Sequence, residues 1–413
     1  EQSRSRYVQI ADKLARIYSP AVHILATLTL VGWLIWTGGD WHTSLMTAIA
    51  VLIITCPCAL GLAVPAVQTV ASGVLFRNGV MIKDGAALEK LSDVDSVIFD
   101  KTGTLTLGRP RLTNSSSLAS SDLALAAGLA RLSRHPLSRA VCEAANSRGI
   151  APAAVENIEE QPGNGLSGYF DGRLVRLGSR RWCGLQENGC QGLPEFVLAL
   201  GETTPAIFTF EDELRPDAPA VIAKLKAEGL RVEILSGDRE APVSRAASSL
   251  GIECWQAGVT PQQKLAYVQS LKEAGRKVLM VGDGLNDAPA LAAGHTSMAP
   301  SSATDIGRTT ADTIFMGESL MPLLVARDVA IATQRLSIQN FALAVGYNCL
   351  AVPVAMLGLA SPLIAAVAMS TSSIIVIANS LRLGLGFSKQ KTVVVTKPQP
   401  NSPGISIFER RAA

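Results

Sequence analysis

Two long stretches of this chain are almost free of charge, and they flank a middle that is not. From Leu336 to Leu381 there is no Asp, Glu, Lys or His, and the run from about Ser44 to Val70 is nearly without charge. A bilayer core demands roughly 20 consecutive apolar residues of helix. The two regions therefore predict spans over about Ser44–Val70, Ile338–Leu357 and Pro362–Leu381, the last two joined at Gly358–Ser361 as a helical hairpin. A further span is expected from about Pro20 to Trp36, with Trp33, Trp36 and Trp41 clustered where aromatic rings sit at a membrane interface. Only 17% of residues are charged, against about 25% in soluble domains. The loop Thr37–Thr43 carries no Lys or Arg, whereas Arg4, Arg6, Lys13 and Arg16 precede the first span and Arg77 and Lys83 follow the second. By the positive-inside rule both the chain start and the centre face the cytoplasm. A net charge of +3 argues against nucleic acid as a partner. Seven cysteines, an odd and scattered set, do not make a disulfide framework.

The centre alternates short apolar runs with helical ones. Ser96–Phe99, Arg231–Leu235, Lys277–Val281 and Thr296–Met298 read as strands, each followed by Gly, Asp or Pro, which is the signature of a parallel α/β sheet. The piece from 110 to 205 interrupts it, with a helix expected around Ser121–Arg148 and a hairpin turn at Asp171-Gly172. The expected organisation is a membrane hairpin over 1–70, a sheet domain in two parts over 71–109 and 206–330, the inserted α+β domain between them, a second membrane hairpin over 331–386 and a polar, disordered tail over 387–413.

Val97–Phe99 delivers Asp100 to the carboxyl end of a buried strand, where parallel sheets bind ligands. Gly103, between Thr102 and Thr104, lets the backbone turn and aim N–H groups at an anion. A carboxylate there can attack a phosphoryl group and carry it as an acyl phosphate. Ser236-Gly237-Asp238 and Gly282-Asp283-Gly-Leu-Asn286-Asp287 also follow strands, so their acids converge on the same edge and call for a cation such as Mg²⁺. Lys264 can offset phosphoryl charge. Any one of these residues alone would be better read as a cap or a turn; four sites at successive strand ends would not.

The string Asp100-Lys-Thr-Gly-Thr-Leu-Thr106, with the order of motifs behind it, resembles the catalytic core of P-type ATPases, which belongs to the haloacid-dehalogenase superfamily. The resemblance implies a haloacid-dehalogenase-like sheet with an inserted nucleotide-binding domain, ATP as substrate and Mg²⁺ as cofactor. It implies Asp100 as nucleophile with Lys264 and Asp287 catalytic, Mg²⁺ held by Asp100, Thr102 and Asp283, and phosphate bound by Thr102, Gly103, Thr104, Ser236, Gly237 and Asn286. In the insertion, Ser133-Arg-His135-Pro and Gly163-Asn-Gly165 resemble the adenine site of heavy-metal pumps, although Arg134 stands where many relatives carry an acid.

Cys56-Pro-Cys58 falls within the second span, where proline breaks the helix and two sulfurs can converge on a soft ion. Cys56-Pro-Cys-Ala-Leu-Gly-Leu-Ala-Val-Pro65 resembles the transport motif of heavy-metal P-type ATPases. Two thiolates with Met369 suit Cu⁺ or Ag⁺ better than zinc. Tyr347-Asn348 and Met369-Ser-Thr-Ser-Ser373 resemble copper-pump pieces, and Leu62–Gln68 with Ser133–Pro136 the pumps associated with cytochrome oxidase assembly. The expected function is ATP-driven export of Cu⁺ across a bacterial inner membrane, with a copper chaperone as a donor. The family also carries upstream helices and an actuator domain with a Thr-Gly-Glu loop, so the chain is read as the C-terminal two-thirds or so of a longer pump. A membrane-tethered phosphatase and a non-catalytic copper-binding membrane protein are the alternatives.

Overall fold

The computed structural model describes residues 6–83, 85–186, 193–201 and 203–387, with side chains from Pro20 onward. The tail expected after Phe387 lies outside the described residues. Seven strands form the central sheet, in the order Val80–Ile82, Thr313–Phe315, Thr296–Pro300, Val278–Val281, Ser96–Phe99, Arg231–Leu235, Cys254–Gln256. All pairs are parallel except the first. Ser96–Phe99 is buried throughout, as its β-branched and aromatic run requires. The helix Pro261–Glu273 starts at a capping box between Thr260 and Gln263, with Pro261 in its first turn. That start fixes Lys264 over the sheet edge.

A second sheet of six strands is antiparallel, in the order Thr106–Leu112, Ala206–Leu214, Glu195–Leu200, Arg173–Gly178, Gly165–Phe170, Glu156–Gln161. Its first two strands are the chain's way in and out. Asp171 and Gly172 both have positive φ, 48° and 72°, and close the tight hairpin between Gly165–Phe170 and Arg173–Gly178. The single helix expected around Ser121–Arg148 is two, Ser120–Ala130 and Pro136–Ser147. Pro136 is the reason: its ring bars the preceding residue from helical geometry, and His135 sits at φ −62°, ψ 137°.

Among the described residues, three segments are long and apolar enough to cross a membrane, Trp41–Arg77, Met321–Met356 and Pro362–Phe387; the shorter apolar stretch Pro20–Trp36 ends the helix Arg6–Trp36. At 1.5 Å per residue that stretch measures about 26 Å, near the lower limit for a span. Trp41–Arg77 is interrupted: one helix ends at Ile54, Cys58–Leu62 makes little more than a turn, and Pro65 opens the next, which runs to Arg77. The indole Nε1 of Trp33 donates to the Met356 carbonyl at 2.9 Å, tying the first helix to the end of Met321–Met356. That long helix begins within the core of the parallel sheet, where Leu320, Leu323 and Leu324 pack in one cluster with Phe99, Val281 and Leu75. Sheet and membrane helices therefore share a continuous apolar core.

Candidate phosphoryl-transfer site and membrane metal site

Asp100 follows the central strand, its N–H bonded to the Val281 carbonyl at 2.8 Å, and only 6% of it is exposed. Lys264, 1% exposed, places Nζ 2.5 Å from Asp100 Oδ1. Oxygens of Asp100, Asp283 and Asp287 all lie within 4.8 Å of one another. Burial pushes the Asp100 carboxyl up to about 7; Lys264 pulls against that and Asp287 adds to it. Asp287 is raised as well, again chiefly by burial. Three acids held this close repel unless a proton or a cation sits among them.

Gly103 has φ +69°, and a Cβ built on it would lie 2.7 Å from Asp283 Oδ2. The loop Lys101–Leu105 can thus wrap onto Asp283 only with glycine there. Arg215, 2% exposed, holds the loop from below: Nε donates to the Thr104 carbonyl at 2.6 Å and Nη2 to the Gly103 carbonyl at 3.1 Å. Thr104 Oγ1 is buried without a partner. Ser236 is buried and its Oγ accepts from the Asp238 N–H at 3.2 Å, while Gly237 lines the adjoining cleft. Asn286 is exposed on the turn between Asp283 and Asp287.

Of the residues expected to hold Mg²⁺, Asp100 and Asp283 stand together with Asp287. The Thr102 hydroxyl donates to Asp238 Oδ2 at 3.1 Å, and the third carboxylate of the cluster is Asp287. A hydroxyl on this exposed loop finds a nearer acceptor in Asp238, whose same oxygen also meets Lys101 Nζ at 2.7 Å. The cluster fits a divalent cation on its own chemistry, since Asp287 Oδ2 is buried with no hydrogen-bond partner. Lys101 and Arg215 escaped the sequence reading because nothing marks a buried cation until the carbonyls or the carboxylate it serves are in place.

A cavity of about 620 Å³ opens from Lys101, Thr102 and Gly237 toward His135 and Phe210 on the antiparallel sheet. His135 Nδ1 accepts from the Leu137 N–H at 3.3 Å, and its ring stands 5.8 Å from that of Phe196. Ser133 Oγ donates to Glu160 Oε1 at 3.1 Å, which sets the His135 segment beside the strand leading to Gly163. Gly165 answers to packing: a Cβ on it would fall 2.3 Å from the Leu177 carbonyl oxygen. Neither Gly163 nor Gly165 lines the cavity with His135.

In the membrane part, Cys56 and Cys58 converge so closely that their sulfurs are joined as a disulfide, with Cα atoms 5.5 Å apart. Two cysteines across one proline at a helix break thus share a single point in space, the arrangement expected of a pair that meets one soft ion. Asn348 lines a cavity of about 640 Å³ with Thr55 and Leu60, and its Oδ1 is buried without a hydrogen-bond partner. Tyr347 packs with Ile54 and Val51. Met369 and Ser373 lie on Pro362–Phe387, which packs against the broken segment; the Met369 carbonyl accepts from Ser373 Oγ at 3.3 Å.

Residues 94–295 match the model of the haloacid dehalogenase-like hydrolases. The chain is 50% identical over 394 residues to nitrogen fixation protein FixI of Rhizobium leguminosarum bv. viciae, covering 94% of this chain and 51% of that one. It is 38% identical over 392 residues to the copper-exporting P-type ATPase of Mycobacterium tuberculosis, at 91% and 51% coverage. The crystal structure of a zinc-transporting PIB-type ATPase in its E2.Pi state superposes with TM-score 0.77 at 30% identity, over 92% of this chain and 66% of that one. The chain spans about half the length of the curated relatives it matches. By sequence and by fold it belongs to the heavy-metal branch of the P-type ATPases.

Proposed function

We propose that this chain serves ATP-driven export of Cu⁺ through an aspartyl-phosphate intermediate at Asp100. The observation that carries the reading is the convergence of Lys264, Asp283 and Asp287 on Asp100 at one end of the cleft that His135 lines. A carboxylate oxygen of Asp100 attacks the γ-phosphorus of ATP, the bond to the β,γ-bridging oxygen breaks, and ADP leaves with that electron pair. Lys264 lies where charge develops on the transferring group. Asp100, Thr102 and Asp283, with Asp287 beside them, would hold Mg²⁺, which when bound neutralises phosphate charge. Gly103 and Thr104, whose carbonyls Arg215 holds, form the loop beside Asp100 where the phosphoryl group would sit, and Ser236, Gly237 and Asn286 complete its surroundings. His135 marks the adenine end of the cleft. The sheet domains would lie on the cytoplasmic side of a bacterial inner membrane. Labelled ATP with Mg²⁺ should give an acid-stable, alkali-labile adduct that Asp100→Asn abolishes. An adduct surviving that substitution overturns the assignment.

Cu⁺ is the favoured cargo because Leu336–Leu381 offers no carboxylate or imidazole to complete a zinc site. The named copper-exporting relative supports the same cargo; the solved neighbour named for zinc supports the family but not the ion. Reduced Cys56 and Cys58 would bind the ion, with Met369 a third sulfur and Tyr347, Asn348 and Ser373 nearby. X-ray absorption on the reduced, copper-loaded chain should show a copper–sulfur shell that Cys56→Ser with Cys58→Ser removes. Equal or tighter Zn²⁺ binding at the cysteines contradicts copper as the cargo.

A further inference from the structure

The break between Leu62 and Pro65 leaves a carbonyl that an unbroken helix would satisfy internally. In a continuous α-helix the Ala63 oxygen would accept from the N–H four residues on. Here it accepts from Asn340 Nδ2 at 3.0 Å. Asn340 lies on Met321–Met356 and is completely buried. Its Nδ2 also donates to Ser380 Oγ at 3.0 Å, and its Oδ1 accepts from Asn379 Nδ2 at 2.9 Å. Asn379 is held in turn by Arg382 at 2.8 Å. One amide thus joins the broken segment, the long helix and the last helix, with each of its hydrogen-bonding atoms engaged.

Position matters as much as satisfaction. Asn340, Ala344 and Tyr347-Asn348 recur at helical spacing along one side of Met321–Met356. Ala344 packs with Ala59 and Leu60, the two residues after Cys58. The side of the helix that carries two expected copper neighbours is therefore pinned to the cysteine-bearing segment at its lower end by Asn340. We propose that Asn340 is a positioning residue for the membrane metal site, setting the distance between the Cys56–Cys58 pair and the helix that faces it. The proposal rests on the reading of those cysteines as the copper site.

The test uses the full chain, reduced, in detergent, with Cu⁺ titrated against a chromophoric Cu⁺ chelator. Residues that orient metal ligands from behind change affinity by about 10- to 100-fold when removed. Asn340→Ala should weaken Cu⁺ binding by that factor, and Asn379→Ala, which takes from Asn340 only the bond to Oδ1 and also frees Arg382, should weaken it by a smaller factor. Phosphorylation of Asp100 by ATP should stay at the wild-type level in both, showing that the rest of the chain is folded. The copper–sulfur shell of Asn340→Ala should broaden in X-ray absorption, a signature that a residue serving only helix packing would not move. Should Asn340→Ala fail to fold, Asn379→Ala carries the test alone. Affinities within threefold of wild type in every variant that folds overturn the proposal. No loss on removing Cys56 and Cys58 overturns the copper reading itself and this inference with it, an outcome told apart by the cysteine variant.

Discussion

At the scale of the residue, Asp100, the proposed nucleophile, is held partly in its protonated form. Burial holds its carboxyl near 7, and only the ionised form attacks phosphorus. The sign follows directly: a raised acid is protonated below the shifted value, so phosphorylation rises with pH through about 7. A cation on the carboxylates competes with that proton. Phosphoenzyme formation from ATP, followed against pH, should show its midpoint near 7 at limiting Mg²⁺ and at lower pH when Mg²⁺ saturates. A midpoint that does not move with Mg²⁺ would separate the metal from these acids. Asp100, Lys264, Asp283 and Asp287 were legible in the sequence because each stands in a motif just after a strand's end or at a helix's start. Arg215 was not, since its role is to meet two main-chain carbonyls that only the folded loop presents.

Among the elements, the long helix Met321–Met356 does the most to join the two halves of the molecule. Its start is capped from outside: Asp217 Oδ2 accepts from Ser319 Oγ at 2.5 Å, from the Leu320 N–H at 2.7 Å and from the Met321 N–H at 3.0 Å. Asp217 itself opens the helix Ala218–Ala227 of the parallel sheet domain, so one carboxylate fastens the phosphorylation domain to a membrane helix. Asp217→Ala should cost about 1–2 kcal/mol, the range for losing a helix cap, read as a lower melting temperature of the chain in detergent; an unchanged melting temperature would show that the cap carries no load. Strand positions were readable from β-branched runs bounded by Gly and Asp. The break at Ser133–Pro136 was passed over although Arg131-Leu-Ser-Arg-His135 interrupts the apolar pattern and Pro136 marks the stop. The convergence of Cys56 and Cys58, by contrast, was legible, since a Cys-Pro-Cys string at a helix break fixes proximity.

On the scale of the whole molecule, the phosphorylation site and the cysteine pair stand on one continuous body, linked through the apolar core that runs from Phe99 past Leu75 to Leu320. Such a core would let a change at the sheet edge reach helices that border the Cys-Pro-Cys break, as the proposed coupling of ATP to ion movement requires. The spans were readable from their lack of charge. Their mutual packing was not, because it rests on small contacts such as the Trp33 indole on the Met356 carbonyl. The proposed function depends on one covalent bond, an acyl phosphate at Asp100, which can be trapped. After brief reaction with ATP and Mg²⁺, borohydride should reduce the acyl phosphate and turn the modified aspartate into homoserine, located by mass spectrometry of the peptide Val97–Thr106. Homoserine at position 100, formed only when both ATP and Mg²⁺ are present, is the result this account predicts. Conversion at another carboxylate, or none at position 100 while ATP is consumed, would contradict it.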